Sequence, residues 1–416
     1  MFNIALDTLG CKLNQAETEA IGREFAEAGY RLVSPQDNWD IYILNTCTVT
    51  HVADRKARYQ VRIARRHNPN GFICLTGCYA ENGGDGITCP DANLILDNER
   101  KADIVAEIVR LFPLEVSAKA LYEHGRTRSF IKIQDGCDNF CSYCIVPFVR
   151  RNKSCREVGE IISEINLRQA EGYQEIVLTG TEIGEYTSGG FNLAGLIKSI
   201  LEFTFIPRLR LSSLQPNEIT PQLLALWQNP RLCNHFHIAL QSGSDRILSF
   251  MQRPYALTDY TCTLESIRAC LPDTAVTTDV IVGFPGETDE DFLLSLRYVE
   301  KAGFARVHPF PYSERPGTFA SAMSGKLDPA VIKTRLLQMM FAAKNASLQY
   351  RRQKIGMERD VLWENKTRGG LWFGYTPDYI RVYGKFNQKP VNTISRVKLG
   401  KIHTDGILAT EIYPQA

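Results

Sequence analysis

The chain has 416 residues, 44% apolar and 23% charged, which suits two or three cores of ordinary globular composition. It contains no run of eighteen apolar residues, so a helical membrane span is not expected. A net charge of +2 does not by itself imply a polyanionic partner.

The chain opens Met1-Phe-Asn-Ile-Ala-Leu-Asp7, with an acid and no basic start, and reads as a first strand rather than a signal peptide. The expected setting is the cytoplasm, where thiols stay reduced. The twelve cysteines therefore point to metal or redox chemistry rather than disulfides.

The first segment, residues 1–115, alternates apolar strands at 2–6, 41–44 and 72–75 with helical patterns at 16–28 and 53–66. This alternation predicts a parallel sheet with crossover helices. Each strand is followed by a cysteine: Leu9-Gly10-Cys11, Asn45-Thr46-Cys47 and Thr76-Gly77-Cys78. The carboxyl ends of parallel strands face one crevice, so the three thiols converge there. A single such cysteine would be read as a small buried apolar residue; three in equivalent places read as metal ligands. The helix at 53–66 carries Arg55, Lys56, Arg58, Arg62, Arg65 and Arg66, which suits RNA or an ordinary solvated face. Residues 111–127, with Pro113, read as a linker.

The second segment, residues 128–345, repeats the pattern six times, with strands at 130–134, 175–179, 209–212, 236–240, 276–282 and 306–310. Thr288 followed by Asp291 marks a capping box before an apolar helix. Six βα units predict an incomplete (β/α) barrel. The third segment, residues 346–416, has short β-rich runs at 361–363, 379–383 and 393–397 between glycines, and predicts a small β-barrel. It holds twelve basic residues against six acidic ones, a basic surface fit for nucleic acid.

Directly after the strand at 130–134 stands Gly136-Cys137-Asp-Asn-Phe-Cys141-Ser-Tyr-Cys144. Three thiolates in one tight loop hold three irons of a cubane cluster and leave the fourth iron open to a cosubstrate. Structural zinc requires four protein ligands, for which Cys155 is the nearest candidate.

The C-x-x-x-C-x-x-C spacing resembles the radical S-adenosylmethionine superfamily. In that superfamily the open iron chelates S-adenosylmethionine, whose reductive cleavage gives a 5′-deoxyadenosyl radical. The resemblance places Tyr143 near the adenine. Leu178-Thr-Gly180-Thr-Glu182 resembles the segment that holds the methionine amino group, and Val280-Ile-Val-Gly283-Phe-Pro-Gly286-Glu287 resembles the fifth-strand segment on adenine. Ser213 and Gln241 end strands three and four, and with Arg253 they complete the expected cofactor contacts. Each of these has a plain reading as a turn glycine or solvated acid, but together they mark the carboxyl ends of barrel strands, where such barrels build active sites.

Thr8-Leu-Gly-Cys11-Lys-Leu-Asn14, Asn45-Thr-Cys47 and the second cysteine triad together resemble the methylthiotransferases. Leu240-Gln-Ser-Gly-Ser244, Met251-Gln-Arg-Pro-Tyr255, the run from Thr278 to Thr288 and Phe310-Pro-Tyr-Ser-Glu-Arg-Pro-Gly-Thr318 extend the likeness. Gly374-Tyr-Thr-Pro-Asp-Tyr-Ile-Arg-Val382 looks like part of a TRAM domain, a small RNA-binding barrel. The resemblance implies a flavodoxin-like cluster-binding domain, a partial (β/α)6 radical barrel and a TRAM-like module. It implies two 4Fe-4S clusters, on Cys11, Cys47 and Cys78 and on Cys137, Cys141 and Cys144. The first would carry an exchangeable sulfide that one S-adenosylmethionine methylates, while another generates the radical. The partners implied are transfer RNA, S-adenosylmethionine, an electron donor of flavodoxin or ferredoxin type, and a sulfur source.

Cys11-Lys12-Leu13-Asn14 resembles the branch that modifies threonylcarbamoyladenosine next to the anticodon. The other branches act on isopentenyladenosine in transfer RNA or on a ribosomal-protein aspartate. An iron–sulfur or zinc RNA-binding regulator is the non-enzyme alternative; it leaves the barrel strand-end motifs unexplained. Two departures stand out: the stretch 80–90 is short and glycine-rich, and Cys155 takes the place of a usual serine. Cys74, Cys89, Cys233, Cys262 and Cys270 have no evident ligand partner.

Overall fold

The computed structural model describes residues 2–81, 89–114 and 127–413. The linker expected at 111–127 and the glycine-rich stretch at 80–90 thus fall largely outside the described residues. The chain divides into two units: Met1–Gly125 with Asp135–Ser154 and Ser313–Ser321, and Arg126–Gln134 with Cys155–Tyr312 and Ala322–Ala416.

In the first unit, β1 (Asn3–Thr8), β2 (Arg31–Val33), β3 (Ile41–Thr46), β4 (Phe72–Gly77) and β5 (Leu94–Leu96) form a parallel sheet in the order β2-β1-β3-β4-β5. That is the flavodoxin-like order. The helices are α1 (Lys12–Glu27), α2 (His51–His67), α3 (Cys78–Glu81) and α4 (Ile104–Leu111). Both faces of the sheet are covered, so its strands read as continuous apolar runs rather than alternating ones. Ile4, Ile41, Ile43 and Cys74 pack with Phe25 of α1 and Ile108 of α4. Ala5, Tyr42, Leu44 and Leu75 pack with Ala57, Val61 and Ala64 of α2. Cys74 is a core residue, and burial pushes its thiol up to about 12. β2 and β5 have three residues each, too few for a sequence period to show. The rest of this unit includes the cysteine loop and the short α5 (Val146–Val149), where Ile145 and Val149 pack against Cys78.

The second unit carries six parallel strands: β6 (Arg128–Lys132), β7 (Glu175–Thr179), β8 (Arg208–Leu211), β9 (His235–Ile238), β10 (Ala275–Val282) and β11 (Arg306–Pro311). β6, β7 and β8 form one sheet, and β9, β10 and β11 another. The two are joined where β8 resumes as Ser213–Leu214 and pairs with β9. The helices are α6 (Val158–Ala170), α7 (Leu193–Phe203), α8 (Pro221–Ala225), α9 (Asp245–Phe250), α10 (Leu257–Cys270), α11 (Asp289–Lys301) and α12 (Pro329–Gln353). The expected capping box opens α11: Thr288 Oγ1 accepts from the Asp291 amide at 3.2 Å, and Asp291 accepts from the Thr288 amide at 2.9 Å. α12 runs through residue 346, where the sequence changes character.

The same unit ends in a closed five-stranded barrel of β12 (Glu358–Lys366), β13 (Trp372–Tyr375), β14 (Arg381–Gly384), β15 (Ile394–His403) and β16 (Gly406–Tyr413), in the order β12-β13-β14-β16-β15. Val361, Trp363, Val382, Val397, Leu399 and Ile407 fill it. It is seated on the amino-terminal ends of the large barrel's strands. Arg208 donates to the carbonyls of Tyr375 (2.9 Å) and Asp360 (2.8 Å), and Arg210 to that of Pro377 (2.9 Å). Both arginines face Glu175, which Arg210 meets at 2.7 Å. Burial alone would raise the Glu175 pKa, but Arg210, Arg128 and Arg208 outweigh it and hold it at about 2. No helix among the described residues is long and apolar enough to cross a membrane.

Candidate active site

Both cysteine triads belong to the first unit. Cys11, Cys47 and Cys78 follow the adjacent strands β1, β3 and β4, whose ends are in register: Thr8 opposite Asn45, and Thr46 opposite Gly77. Gly10 makes this approach feasible. Its φ is +122°, and a Cβ there would lie 2.5 Å from the Cys47 Cβ. Asn14 closes the crevice floor by donating to the carbonyls of Leu9 (3.1 Å) and Thr46 (2.8 Å). Its Oδ1 accepts from Cys11 Sγ at 3.4 Å. Burial pushes the Cys47 thiol up to about 12, and Cys78 and Cys11 add to the effect.

In the second triad, the Cys144 amide donates to the Cys141 carbonyl at 2.9 Å, forming a tight turn. Cys141 is buried, while Cys137, Tyr143 and Cys144 are half-buried. Asp135 enters this loop and accepts from the Gly136 amide at 2.9 Å.

Arg150, 5% exposed, ties the two triads' surroundings together. It donates to Cys78 Sγ (3.4 Å), to Asn14 Oδ1 (3.1 Å), to Glu17 (2.8 Å) and to Asp135 (2.8 Å). Lys101 meets Glu17 from the other side at 2.7 Å. A second buried arginine, Arg315, donates to Asp54 (2.7 Å) and to Thr48 (2.8 Å), the residue after Cys47. None of these charged residues carries a local sequence signal that marks it as a site residue.

The donor sets fit clusters better than single ions. Among the described residues, the one group of three or more His, Cys, Asp or Glu side chains with all ligand atoms within 4.8 Å of one another is His237, Asp279 and His308. Neither thiol triad closes that far, which suits a cluster in which each thiolate holds a different iron. Cys155, the candidate fourth zinc ligand, accepts from the Thr187 amide at 3.4 Å. Cys233 is buried, and Cys262 and Cys270 are exposed on α10.

The second unit gathers the remaining expected cofactor contacts. Gly180 faces Gln134, whose carbonyl would lie 2.7 Å from a Cβ there, and Gln134 Oε1 accepts from the Glu182 amide at 2.8 Å. Gln215 donates to the Glu182 carboxylate and accepts from Arg253 at 2.8 Å, so it links two site residues that the sequence reading left apart. Glu218 accepts from the Gln215 amide at 2.8 Å. Burial, with Glu182 close by, raises the Glu218 pKa to about 8. Gln241 takes a positive φ of 62° and pairs its backbone with β10. The Gly283 amide donates to Glu287 at 3.0 Å, and Ser213 is exposed.

A model of the uncharacterized protein family UPF0004 matches residues 3–96, and one of the radical SAM superfamily matches residues 131–299. The chain is 37% identical to the threonylcarbamoyladenosine tRNA methylthiotransferase MtaB of Thermotoga maritima, over 98% of this chain and 97% of that one. It is 34% identical to the Bacillus subtilis protein of the same name, over 96% and 94%.

The chain belongs to the radical S-adenosylmethionine methylthiotransferase family.

The tRNA-2-methylthio-N(6)-dimethylallyladenosine synthase of Syntrophus aciditrophicus, another methylthiotransferase, is 34% identical over 87% of this chain and 84% of its own. Among solved structures, the radical S-adenosylmethionine methyltransferase TsrM of Kitasatospora setae, with cobalamin and a [4Fe-4S] cluster bound, superposes with a TM-score of 0.56. That match has 12% identity and covers 77% of each chain, so it speaks for the fold alone. The methylthiotransferase fold here is thus a parallel-sheet domain, a radical barrel and a small closed barrel.

Proposed function

We infer that this methylthiotransferase adds a methylthio group to carbon 2 of N6-threonylcarbamoyladenosine next to the anticodon of transfer RNA. The observation that carries the reading is near full-length similarity to threonylcarbamoyladenosine methylthiotransferases, in a chain that keeps both cysteine triads. A non-enzymatic RNA-binding regulator does not fit this membership. When bound, two 4Fe-4S clusters and S-adenosylmethionine supply the radical, the sulfur and the methyl group.

The protein's part is placement. Cys11, Cys47 and Cys78 would hold one cluster, and Cys137, Cys141 and Cys144 the other. Arg150 and Lys101 lie buried near the first triad, balanced by Glu17 and Asp135, and Arg150 gives the Cys78 sulfur a hydrogen bond. On the second unit, Gly180, Glu182 and Arg253, braced by Gln215, would receive the methionine end of the cosubstrate, and Ser213, Gln241 and Gly283 would complete its contacts there.

Transfer RNA would meet the exposed cations of α2, namely Arg55, Lys56, Arg58, Arg62 and Arg66, and the basic small barrel. A cavity of about 550 Å³ beside that barrel is lined by Arg306, Lys344, Tyr375 and Tyr379, and by Arg351 and Arg381, which are already bonded to Asp405. Arg65 is engaged elsewhere, with the carbonyls of Pro69 and Gly71. An electron donor of flavodoxin or ferredoxin type, a sulfur source and a cytoplasmic setting complete the reading.

The test is mass spectrometry of transfer RNA nucleosides from a deletion strain and from the reconstituted reaction. Loss of the methylthio form of threonylcarbamoyladenosine is expected. Loss of the isopentenyladenosine product instead would favour the second reading, which the Syntrophus relative motivates.

A further inference from the structure

In β9 and β10, alternate residues face opposite sides of the sheet. Phe236, Ile238, Val276 and Val280 enter the apolar core with Tyr260, Leu264 and Val299 of the helices. The residues between them, His237, Thr277 and Asp279, therefore face the barrel's concave interior, and His308 of β11 is in register with Asp279. Parallel barrels usually fill such positions with layers of bulky branched side chains. Here they are polar: Thr277 is buried, while His237, Asp279 and His308 are only half-buried, with 13% of the His237 side chain and 31% of the Asp279 side chain exposed.

The groups form a chain along three neighbouring strands. Thr277 Oγ1 bridges His235 Nε2 (3.0 Å) and His237 Nδ1 (2.9 Å), and His237 Nε2 lies 3.2 Å from Asp279 Oδ2. The carboxylate fixes the proton on Nε2, which leaves Nδ1 to accept from the threonine hydroxyl. The His308 ring centroid is 6.1 Å from that of His237. Four residues further along the same two strand paths stand Gln241 and Gly283, expected cosubstrate contacts.

We propose that His237, Asp279 and His308 form the receptor for the polar arm on N6 of the target adenosine, and so set substrate choice. This rests on the threonylcarbamoyladenosine reading above. That arm carries an amide, a hydroxyl and a carboxylate. A carboxylate taken out of water requires hydrogen-bond donors, a role that falls to the imidazole of His308, while Asp279, held in place by His237, accepts from the arm's own donors. An adenosine with an apolar arm would leave these groups unpaired, the discrimination that polar sites exert most strongly.

The test measures kcat and KM of the reconstituted holoenzyme on transfer RNA bearing threonylcarbamoyladenosine and on the same RNA bearing isopentenyladenosine. His308→Phe and Asp279→Asn are compared with the parent, and His308→Gln restores a donor. Iron content and thermal midpoint serve as folding controls. The expected result is a fall in kcat/KM on the threonylcarbamoyl substrate of roughly 10- to 150-fold for His308→Phe, the size of a lost hydrogen bond to a charged group. The fall should lie mainly in KM, be partly restored in His308→Gln, and be absent on the isopentenyl substrate. Unchanged kcat/KM in both variants, or equal losses on both RNAs, would overturn the proposal. So would one bound zinc per chain that disappears in Asp279→Asn, which would make the triad a metal site. A parent enzyme that turns over only the isopentenyl RNA would overturn the substrate reading itself, a separate outcome.

Discussion

Nε of Arg150 donates to Sγ of Cys78 at 3.4 Å, so a residue just past one cysteine triad touches a thiol of the other. The same guanidinium satisfies Glu17, Asp135 and Asn14, and all of these groups lie in one unit. Replacing it takes the guanidinium from Asp135 and leaves Glu17 with Lys101 as its cation. Arg150→Met is expected to lower stability by about 3–5 kcal/mol, the usual result of breaking a buried ion pair. Arg150→Lys keeps the charge but cannot reproduce the forked contacts and should fall between. Thermal unfolding of both variants, with iron and sulfide analysis, checks this. Parent-like stability in Arg150→Met would show the network to be dispensable.

The two triads are expected to be separable in function. Changing Cys137, Cys141 and Cys144 to alanine should remove about half of the iron and sulfide, since each triad accounts for one cluster. Changing Cys11, Cys47 and Cys78 should leave 5′-deoxyadenosine formation in place and abolish the methylthio product. Elemental analysis and product chromatography decide both; methylthiolation by the second variant would overturn the assignment of sulfur to the first triad.

Glu218 makes stability fall as pH rises. Its pKa is about 8 in the folded protein against an ordinary 4.5, so between those values the folded state keeps a proton that the unfolded chain has released. The contribution is complete below about pH 4.5 and is lost progressively up to about pH 8. Glu218→Gln should flatten this part of the stability profile, measured as thermal midpoint against pH. An unchanged slope would exclude Glu218 as its source.

The small carboxyl-terminal barrel is expected to behave as part of the second unit's core. Truncation at residue 353 would leave Glu175, Arg208 and Arg210 without their cover, and should give insoluble or unfolded protein rather than a clean RNA-binding defect. Point changes test RNA contact better. Arg381 is already engaged with Asp405 at 2.9 Å and stacked on Phe373, whereas Lys401 is exposed. Lys398 is likewise paired with Glu411, so Lys401→Glu is the cleaner change; it should weaken transfer RNA binding and reduce its salt dependence by about one counterion. Titrations at two salt concentrations measure this, and an unchanged slope would argue against phosphate contact.

The strand-end cysteines were legible because the signal is local: an apolar run, then a cysteine, three times over. The barrel strands were legible for the same reason, and the run at 175–179 matches β7 residue for residue. What escaped was whatever depends on partners distant in sequence. Glu17 reads as one acid on an ordinary helix and Arg150 as half of a surface arginine pair. Only the fold brings them, with Lys101, to the crevice. Gln215 and Glu218 are inconspicuous likewise, since nothing local distinguishes them before Glu182 and Arg253 arrive from loops distant in sequence. In the basic helix, charge alone did not separate Arg65, which braces neighbouring carbonyls, from the exposed cations around it.

The first unit draws on three separate stretches of chain, the last ending at Ser321. During synthesis Cys11, Cys47 and Cys78 emerge well before Arg150, and Arg315, which secures the residue after Cys47, emerges later still. At about 5–20 residues per second, the interval between Cys47 and Arg315 is roughly 13–54 s. Until the end of that time the surroundings of Cys47 lack the last of their cations and the hydrogen bond to Thr48. The window in which iron and sulfide are delivered to a finished pocket therefore opens only after translation has passed most of the chain.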